Sequence, residues 1–147
     1  MTRTVDHSLG PAAASELQAL YETHAWWEDR DETSIERALA ASDEVVGLRD
    51  ETTGDLVAAA RVLTDYTYYA MVYDVIVHEE YRGEGVGTEL MAALETHPPL
   101  SGVDLALLVR EGLVPFYESC GFETLDPVAE PHGRPEELRP MAFRREH

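Results

Sequence analysis

The apolar residues near the start of the chain recur at the spacing of an α-helix. After Pro11 they fall at i, i+3, i+4 and i+7 and form one face: Leu17, Leu20, Tyr21 and His24. Thr33 to Glu36 has the Thr-x-x-Glu form of a capping box. A second, shorter apolar face follows, made of Ile35, Ala38 and Leu39. Two helices are therefore predicted, joined by a loop that contains two tryptophans.

Later segments have the composition of β-strands: residues 44–48, 55–63, 68–78, 103–109 and 141–145. A turn at Thr53-Gly54 joins the first two. The segment 68–78 gives the clearest prediction, because it is rich in β-branched and aromatic residues and contains no breaker. Four prolines between Asp126 and Pro140 favour a long surface loop before the last strand.

Two further helices are predicted between these strands. One ends before Pro98, and its buried face comprises Val86, Leu90, Met91 and Leu94. The other is short and lies within residues 113–122, with Pro115 in its first turn and Gly121 as its C-terminal stop. This order of helices and strands is typical of a single α/β domain built on one sheet, covering residues 1–147.

The charge of the chain limits its partners. It has 29 acidic and 11 basic residues, a formal net charge of -18 at pH 7, and neither lysine nor asparagine. This charge argues against nucleic acid and anionic membranes as partners, since both would be repelled. The acidic residues are scattered rather than gathered in a tail. Because concentrated salt screens the repulsion within such an acidic coat, we hypothesise a halophilic host.

The N-terminal segment and the single cysteine bear on compartment and metal. The first residues lack the apolar core of a signal peptide, so a cytoplasmic location is expected. Cys120 stands alone, which excludes an internal disulfide and disfavours a cysteine-based metal site. The histidines show no metal-ligand spacing, so no metal is predicted.

Three glycines within five residues are the main candidate for chemistry. The stretch from Arg82 to Gly87 follows a strand and opens a helix, where main-chain N–H groups can hold a phosphate. The P-loop pattern fails because the chain has no lysine. The dinucleotide fingerprint fails because Thr88 or Leu90 stands where its third glycine belongs. A glycine-rich turn that merely ends the strand is the alternative.

The stretch Arg-Gly-Glu-Gly-Val-Gly resembles the acyl-CoA pyrophosphate loop of the GNAT N-acetyltransferases. Residues 114–122, Val-Pro-Phe-Tyr-Glu-Ser-Cys-Gly-Phe, resemble the later Phe-Tyr-x-x-x-Gly-Phe segment of that family. The resemblance covers roughly residues 12–125. It implies an α/β fold with a central, mostly antiparallel mixed sheet and flanking helices. In that fold the strand before the glycine loop and the strand after the following helix form a parallel pair.

The resemblance also implies roles for individual residues. Acetyl-CoA, the acyl donor, would contact the strand backbone, the glycine loop and the aromatic segment: Val75, Ile76, Val77, Arg82, Gly83, Glu84, Gly85, Val86, Gly87, Thr88 and Phe116. Tyr117 would be the general acid for the leaving thiolate, since an ordinary phenol is protonated at neutral pH. Packing of Tyr117 in the core beside Phe116 is the alternative.

The general base is less defined. Asp74, His78 and Glu79 lie on or just after the strand 68–78, and strand alternation places Asp74, Ile76 and His78 on one face. Asp74 is the first choice, because a carboxylate inside an apolar strand needs a reason to be there. A structural carboxylate bonded to the backbone or to an arginine is the alternative.

The chain departs from the family in one respect. Many members carry an asparagine that touches the CoA arm, whereas Glu111-Gly112 stands in that region here. For the acceptor pocket, the candidates are aromatic residues that could equally be ordinary core: Tyr21, Trp26, Trp27, Tyr66, Tyr68 and Tyr69.

The sequence therefore predicts an acetyl-CoA-dependent N-acetyltransferase that acts on an amine of a small molecule or a protein. Two alternatives stay open, because fold alone does not decide function. One is a non-catalytic acyl-CoA sensor on the same fold, and the other is an interaction protein whose loop binds no CoA. The resemblance also allows a homodimer.

Overall fold

The strands pair mainly with their neighbours in sequence. The computed structural model describes residues 2–27, 29–125 and 138–145. It contains a seven-stranded sheet with the order β1-β2-β3-β4-β5-β7-β6. The strands are β1 (Arg3–Asp6), β2 (Glu44–Asp50), β3 (Leu56–Thr64), β4 (Ala70–Val77), β5 (Leu105–Arg110), β6 (Glu123–Thr124) and β7 (Leu138–Phe143). Only β4 and β5 among these pairs are parallel. The predicted sheet, mostly antiparallel with one parallel pair, is confirmed.

Helices cover both faces of the sheet. The α-helices of the described residues are α1 (Ala14–Tyr21), α2 (Glu32–Ala41), α3 (Val86–Glu95) and α4 (Val114–Ser119). Short 3₁₀ turns lie at Pro11–Ala13, Ala25–Trp27, Glu79–Tyr81, Pro98–Leu100 and Glu111–Leu113. Two hydrophobic cores result, one beneath α1 and α2 and the other beneath α3 and α4. None of the described helices is long and apolar enough to cross a bilayer.

The helical faces predicted from periodicity are buried as expected. In α3, Val86, Leu90, Met91 and Leu94 have almost no exposed surface, and the helix ends before Pro98. Leu17, Leu20 and Tyr21 of α1 are buried on the opposite side of the sheet, and His24 is buried just beyond that helix. Apolar periodicity alone therefore located both helices.

The predicted capping box at Thr33 is wrong. Helix α2 begins earlier, and its N-cap is Asp31, whose carboxylate accepts a hydrogen bond from the Ser34 N–H at 2.7 Å. Aspartate is among the preferred N-cap residues because its short side chain reaches the third N–H of the helix. The Thr-x-x-Glu pattern thus lies inside the first turn rather than at its boundary.

The first and the last strand in the sequence also differ from the prediction. Strand β1 is not predicted, because Val5 is its single apolar residue; it is an edge strand held by pairing with β2. The predicted loop between Asp126 and Pro140 is too long at its C-terminal end, since β7 begins at Leu138. Residues 126–137 lie outside the described part of the chain.

A bulge in β4 shifts its side chains from one face of the sheet to the other. Arg61 of β3 faces Tyr73 and Ala59 faces Ile76, so Asp74 and Val75 together oppose one residue. Before the bulge, Val72 packs in the core beneath α3; after it, Ile76 packs in the core beneath α1. Asp74 has a φ of 56°, in the left-handed region that non-glycine residues seldom occupy. The alternation of faces predicted for Asp74, Ile76 and His78 therefore does not continue to the residues before the bulge.

Candidate active site

Strands β4 and β5 pair only at their beginnings and then separate. The paired residues are Ala70 with Leu105 and Met71 with Ala106. Beyond them lies a cleft of about 550 Å³. It is lined by Val72–Val77 of β4, by 107–110 of β5, and by His24, Trp27, Arg82, Gly112, Leu113, Tyr117 and Leu138. Because β5 does not pair with this part of β4, main-chain groups along this edge of β4 can bind a ligand.

The glycine loop lies at the end of β4, between that strand and α3. Gly83 and Gly85 have φ angles of 83° and 78°, and Gly85 is the N-cap of α3. A Cβ atom at either position would meet no other atom within 4 Å, so open space lies beside the main chain. The N–H groups of the first helical turn have no partner within the helix and carry the positive end of its dipole. This geometry suits an anionic group such as a pyrophosphate.

Gly87 has a different role from the other two glycines. A Cβ atom there would lie 3.0 Å from Cζ of Phe116, so the missing side chain lets α3 approach α4 closely. The ring of Phe116 in turn lies 5.0 Å from that of Tyr117, centroid to centroid. The glycine loop and the aromatic segment, separate in sequence, therefore pack directly against each other.

Two arginines support the loop from different sides. Arg82 is mostly exposed and lies 3.7 Å from the carboxylate of Glu79, on the wall of the cleft. Arg3 of β1 donates to the Glu84 carbonyl oxygen at 3.2 Å and to the Glu89 carboxylate at 2.6 Å. The sequence interpretation missed Arg3, because its place beside the loop depends on the unpredicted β1.

Tyr117 both packs in the core and lines the cleft. Its side chain is 5% exposed, and its ring lies between those of Phe116 and Phe122. Burial raises the pKa of the Tyr117 phenol well above its usual value, because the phenolate would lose its solvation. The hydroxyl therefore stays protonated at neutral pH and can serve as a proton donor.

Asp74 is held by two arginines. Arg30 bonds both of its carboxylate oxygens, at 2.8 and 3.1 Å, and Nε of Arg61 bonds Oδ2 at 2.8 Å. Burial favours the protonated carboxyl, but the hydrogen bonds from both guanidinium groups outweigh it, so the pKa of Asp74 lies below its usual value. This is the ion-paired arrangement that the sequence left open, and it makes Asp74 a weak proton acceptor.

His24 lines the cleft, and Glu79 lies beside His24. Nε2 of His24 is 2.7 Å from the Val77 carbonyl oxygen, which can only accept, so Nε2 carries the hydrogen. Nδ1 of the same ring lies 3.2 Å from the carboxylate of Glu79. The sequence placed His24 only on the apolar face of a helix, since nothing local shows that it reaches β4.

The aromatic candidates for an acceptor pocket separate into two groups. Trp27 lines the cleft, and Tyr21 is buried beside it, with ring centroids 4.7 Å apart. Tyr66, Tyr68 and Tyr69 lie before β4, at the end where it pairs with β5, and are 45%, 74% and 75% exposed. These three tyrosines neither line the cleft nor form core. The Trp26 side chain lies outside the described part of the structure.

The charged side chains of the cleft favour an anionic ligand. Among the described lining residues, Asp74 is the one acid, and Arg82 and Arg110 carry positive charge. This contrasts with the net charge of -18 on the whole chain. No group of three or more His, Cys, Asp or Glu within the described residues is arranged to hold a metal ion.

Three features meet at this cleft: splayed strands, a glycine loop at a helix N-terminus and a tyrosine that burial keeps protonated. Comparison with known proteins identifies the family. The sequence model of the acetyltransferase (GNAT) family matches residues 9–122. The chain therefore belongs to the GNAT family of acetyltransferases.

Similar proteins agree with this family. Serotonin N-acetyltransferase 2, chloroplastic, from rice (Oryza sativa subsp. japonica) is 37% identical over 120 residues, which are 79% of this chain and 55% of that protein. The chain spans 51% to 63% of the lengths of three curated relatives that it matches. A GNAT family acetyltransferase from Streptococcus pneumoniae has a TM-score of 0.65 and 26% identity, covering 84% of this chain and 89% of that one.

Structural similarity is also found to proteins with lower sequence identity. The ribosomal-protein-S18-alanine N-acetyltransferase of Escherichia coli superposes with a TM-score of 0.77 at 20% identity. The match covers 97% of this chain and 93% of that chain. At this identity the likeness concerns the fold alone.

Proposed function

We propose that this protein transfers an acetyl group from acetyl-CoA to an amine of a small molecule or a protein. The observation that carries the proposal is the cleft between β4 and β5, with the glycine loop beside it and Tyr117 on its wall. Family membership supports the same reaction class. The acceptor named for the rice relative is its own and is used here only to choose test compounds.

The proposed contacts with acetyl-CoA follow from this geometry. The open space at Gly83 and Gly85 leaves room for the pyrophosphate against the main chain from Gly83 to Thr88. Arg82 adds positive charge, and the β4 main chain from Val75 to Val77 lies along the cleft for the pantetheine arm. The carbonyl oxygen of Val77 already contacts His24, so we assign the polar contacts to the remaining groups of this segment.

Tyr117 is proposed to donate the proton that the reaction requires. The neutral amine forms a C–N bond to the carbonyl carbon, the C–S bond breaks, and the departing sulfur takes the Tyr117 hydroxyl proton. The amine loses one proton, which restores the phenol through solvent, so the products are an amide and a free thiol. Because burial keeps Tyr117 protonated, it is ready to act at neutral pH.

The proton acceptor is proposed to be the pair of His24 and Glu79 beside the cleft. Asp74 was the choice from sequence, but its two arginine partners stabilise the carboxylate and reduce its basicity. His24 instead lines the cleft, and its Nδ1 lies 3.2 Å from the carboxylate of Glu79. We expect Glu79→Gln to change the acidic limb of the kcat/KM profile and Asp74→Asn to leave it in place. The reverse result would restore Asp74 as the base.

A non-catalytic acyl-CoA sensor is the second candidate, and the ion-paired state of Asp74 favours it. Such a protein would bind acetyl-CoA and release no thiol with any amine. The test is an assay for free thiol with three acceptor types: an arylalkylamine, a polyamine and a peptide with N-terminal alanine. Thiol release that depends on one of them supports the enzyme. Binding without release from a broad amine panel supports the sensor.

A further inference from the structure

Two arginines converge on one carboxylate beside the cleft. Arg30 and Arg61 both donate to Asp74, and Arg61 also donates from Nη1 to Ser42 Oγ at 3.1 Å. One guanidinium would neutralise one carboxylate, so the group of three carries an excess positive charge. That excess stands out in a chain with a net charge of -18. A second anionic group would complete the pairing.

A small cavity lies directly beside the two guanidinium groups. Its volume is about 270 Å³, and its lining consists of Tyr21, Arg30, Ser34, Ile35, Ala38 and Arg61. We call it the arginine cavity. No acidic side chain is among these residues, although Ser34 Oγ lies 3.1 Å from the Asp31 carboxylate.

The arginine cavity offers donors to an anion. Each guanidinium carries several N–H groups in a planar fork, and the bonds to Asp74 and Ser42 use only part of each fork. Tyr21 adds a hydroxyl, and burial raises its pKa to about 12, so it stays protonated. Planar forks of this kind match the two oxygens of a carboxylate.

Asp74 and Trp27 of the cleft contact the arginines that line the arginine cavity. Asp74 lines the cleft and bonds both arginines of the cavity. The guanidinium carbon of Arg30 also lies 4.7 Å from the centroid of Trp27, which lines the cleft. The group of three charged side chains therefore lies between the cleft and the arginine cavity, and a ligand that occupies both must reach past it.

We propose that the arginine cavity binds a carboxylate carried by the amine acceptor, so that the preferred acceptors are amines that also bear a carboxylate. This inference rests on the proposed acetyltransferase function and names its substrate class. In this arrangement Asp74 fixes the two guanidinium groups in place rather than accepting a proton. The net positive charge of the group then discriminates against plain amines, which enter with the same sign of charge.

The test compares amines that differ only in the carboxylate. The pairs are L-phenylalanine with phenethylamine, L-tryptophan with tryptamine, and β-alanine with ethylamine. We expect kcat/KM for thiol release to favour the carboxylate member by ~10-fold or more, as expected for charge-assisted hydrogen bonds. Calorimetric titration of each compound into the protein saturated with CoA gives the same comparison without turnover.

Two variants locate the effect at the arginine cavity. Arg61→Gln should remove most of the preference, while Arg49→Gln, which alters ion pairs with Asp6 and Glu16 elsewhere, should keep it.

Since Arg61→Gln also frees Asp74 from one partner, a second variant leaves both arginines intact. Ala38→Glu places a carboxylate in the cavity and should abolish the preference, whereas Ala40→Glu adds the same charge on the exposed face of α2.

The outcomes separate this inference from the proposed function. If no carboxylate-bearing amine is bound or acetylated better than its partner, while some amine still drives thiol release from acetyl-CoA, the inference is wrong and the acetyltransferase proposal stands. A stronger preference for O-phosphoethanolamine than for the carboxylates would overturn the assignment of a carboxylate. If acetyl-CoA itself does not bind, both proposals fail together.

Discussion

Tyr117 is the residue on which the proposed chemistry depends most. Replacing it with phenylalanine removes the hydroxyl and keeps the ring that packs between Phe116 and Phe122. We expect Tyr117→Phe to lower kcat by ~10²-fold, the lower end of what a general acid contributes, with little change in the affinity for acetyl-CoA. Tyr68→Phe, on an exposed tyrosine outside the cleft, is the matched control. Unchanged kcat in Tyr117→Phe would remove its acid role.

At the residue scale, the sequence shows that Arg61 and Asp74 are charged residues in apolar strands, but it does not show that they contact each other. Each is a charged residue inside an otherwise apolar strand, which is a readable signal. Their contact depends on the bulge in β4, which shifts the register by one residue and turns Asp74 toward both arginines. Arg30 lies in an acid-rich loop whose sequence shows no hydrophobic periodicity and no motif. No local rule links these three positions.

The glycine loop is an element whose conformation and function can be tested apart. Gly85 and Gly54 both have a positive φ, 78° and 80°, and an added Cβ atom would meet nothing within 4 Å at either site. Alanine at either position should therefore cost a similar free energy of unfolding, ~1 kcal/mol. We expect only Gly85→Ala to weaken acetyl-CoA binding, by ~10-fold or more, since its methyl group enters the space assigned to the pyrophosphate. Equal affinities of the two variants, measured by calorimetry, would contradict the loop assignment.

Strand β1 pairs with β2 through its main chain, and an ion pair between Asp6 and Arg49 adds to this pairing. Its residue Asp6 accepts hydrogen bonds from Ser8 and from Arg49 of β2, and these lower its pKa to about 2 from an ordinary 3.8. A lowered pKa stabilises the fold above pH 3.8, and this contribution is lost as the pH falls through about 2. The sequence did not predict β1, because such a contact is not visible in a hydrophobic pattern.

The contribution of Asp6 to the free energy of unfolding can be measured by comparing variants. We expect the free energy of unfolding of wild type to exceed that of Asp6→Asn at neutral pH and the gap to shrink as the pH approaches about 2. Asp55→Asn, on an exposed residue, controls for the loss of one negative charge. Denaturant unfolding at several pH values gives the comparison, and a gap that does not change with pH would contradict the account.

At the scale of the whole molecule, much of the fold follows from the sequence. Strong periodicity located the core helices, and most strands pair with a neighbour in sequence, although β7 lies between β5 and β6. The cleft does not follow from residue patterns, because it results from the divergence of two strands that are distant in sequence. The family resemblance implied that parallel pair, and the pairing of β4 with β5 in the structure confirms it.

The charge of -18 is also a property of the whole molecule. The halophilic host inferred from it remains a proposal. It predicts that the thermal midpoint rises as KCl increases from dilute to molar, because the Debye length falls to about 3 Å and repulsion between carboxylates is screened. Circular dichroism during heating is the measurement. Unfolding on addition of KCl would contradict the proposal.

Calorimetric titration of acetyl-CoA into the protein tests the central claim most directly, with ATP and NADH as controls. The account predicts saturable binding of acetyl-CoA, with no comparable binding of the two nucleotides, because it assigns the cleft beside β4 to a pantetheine arm that neither of them has. Circular dichroism in the same buffer verifies that the protein is folded. Absence of acetyl-CoA binding to the folded protein would contradict the account.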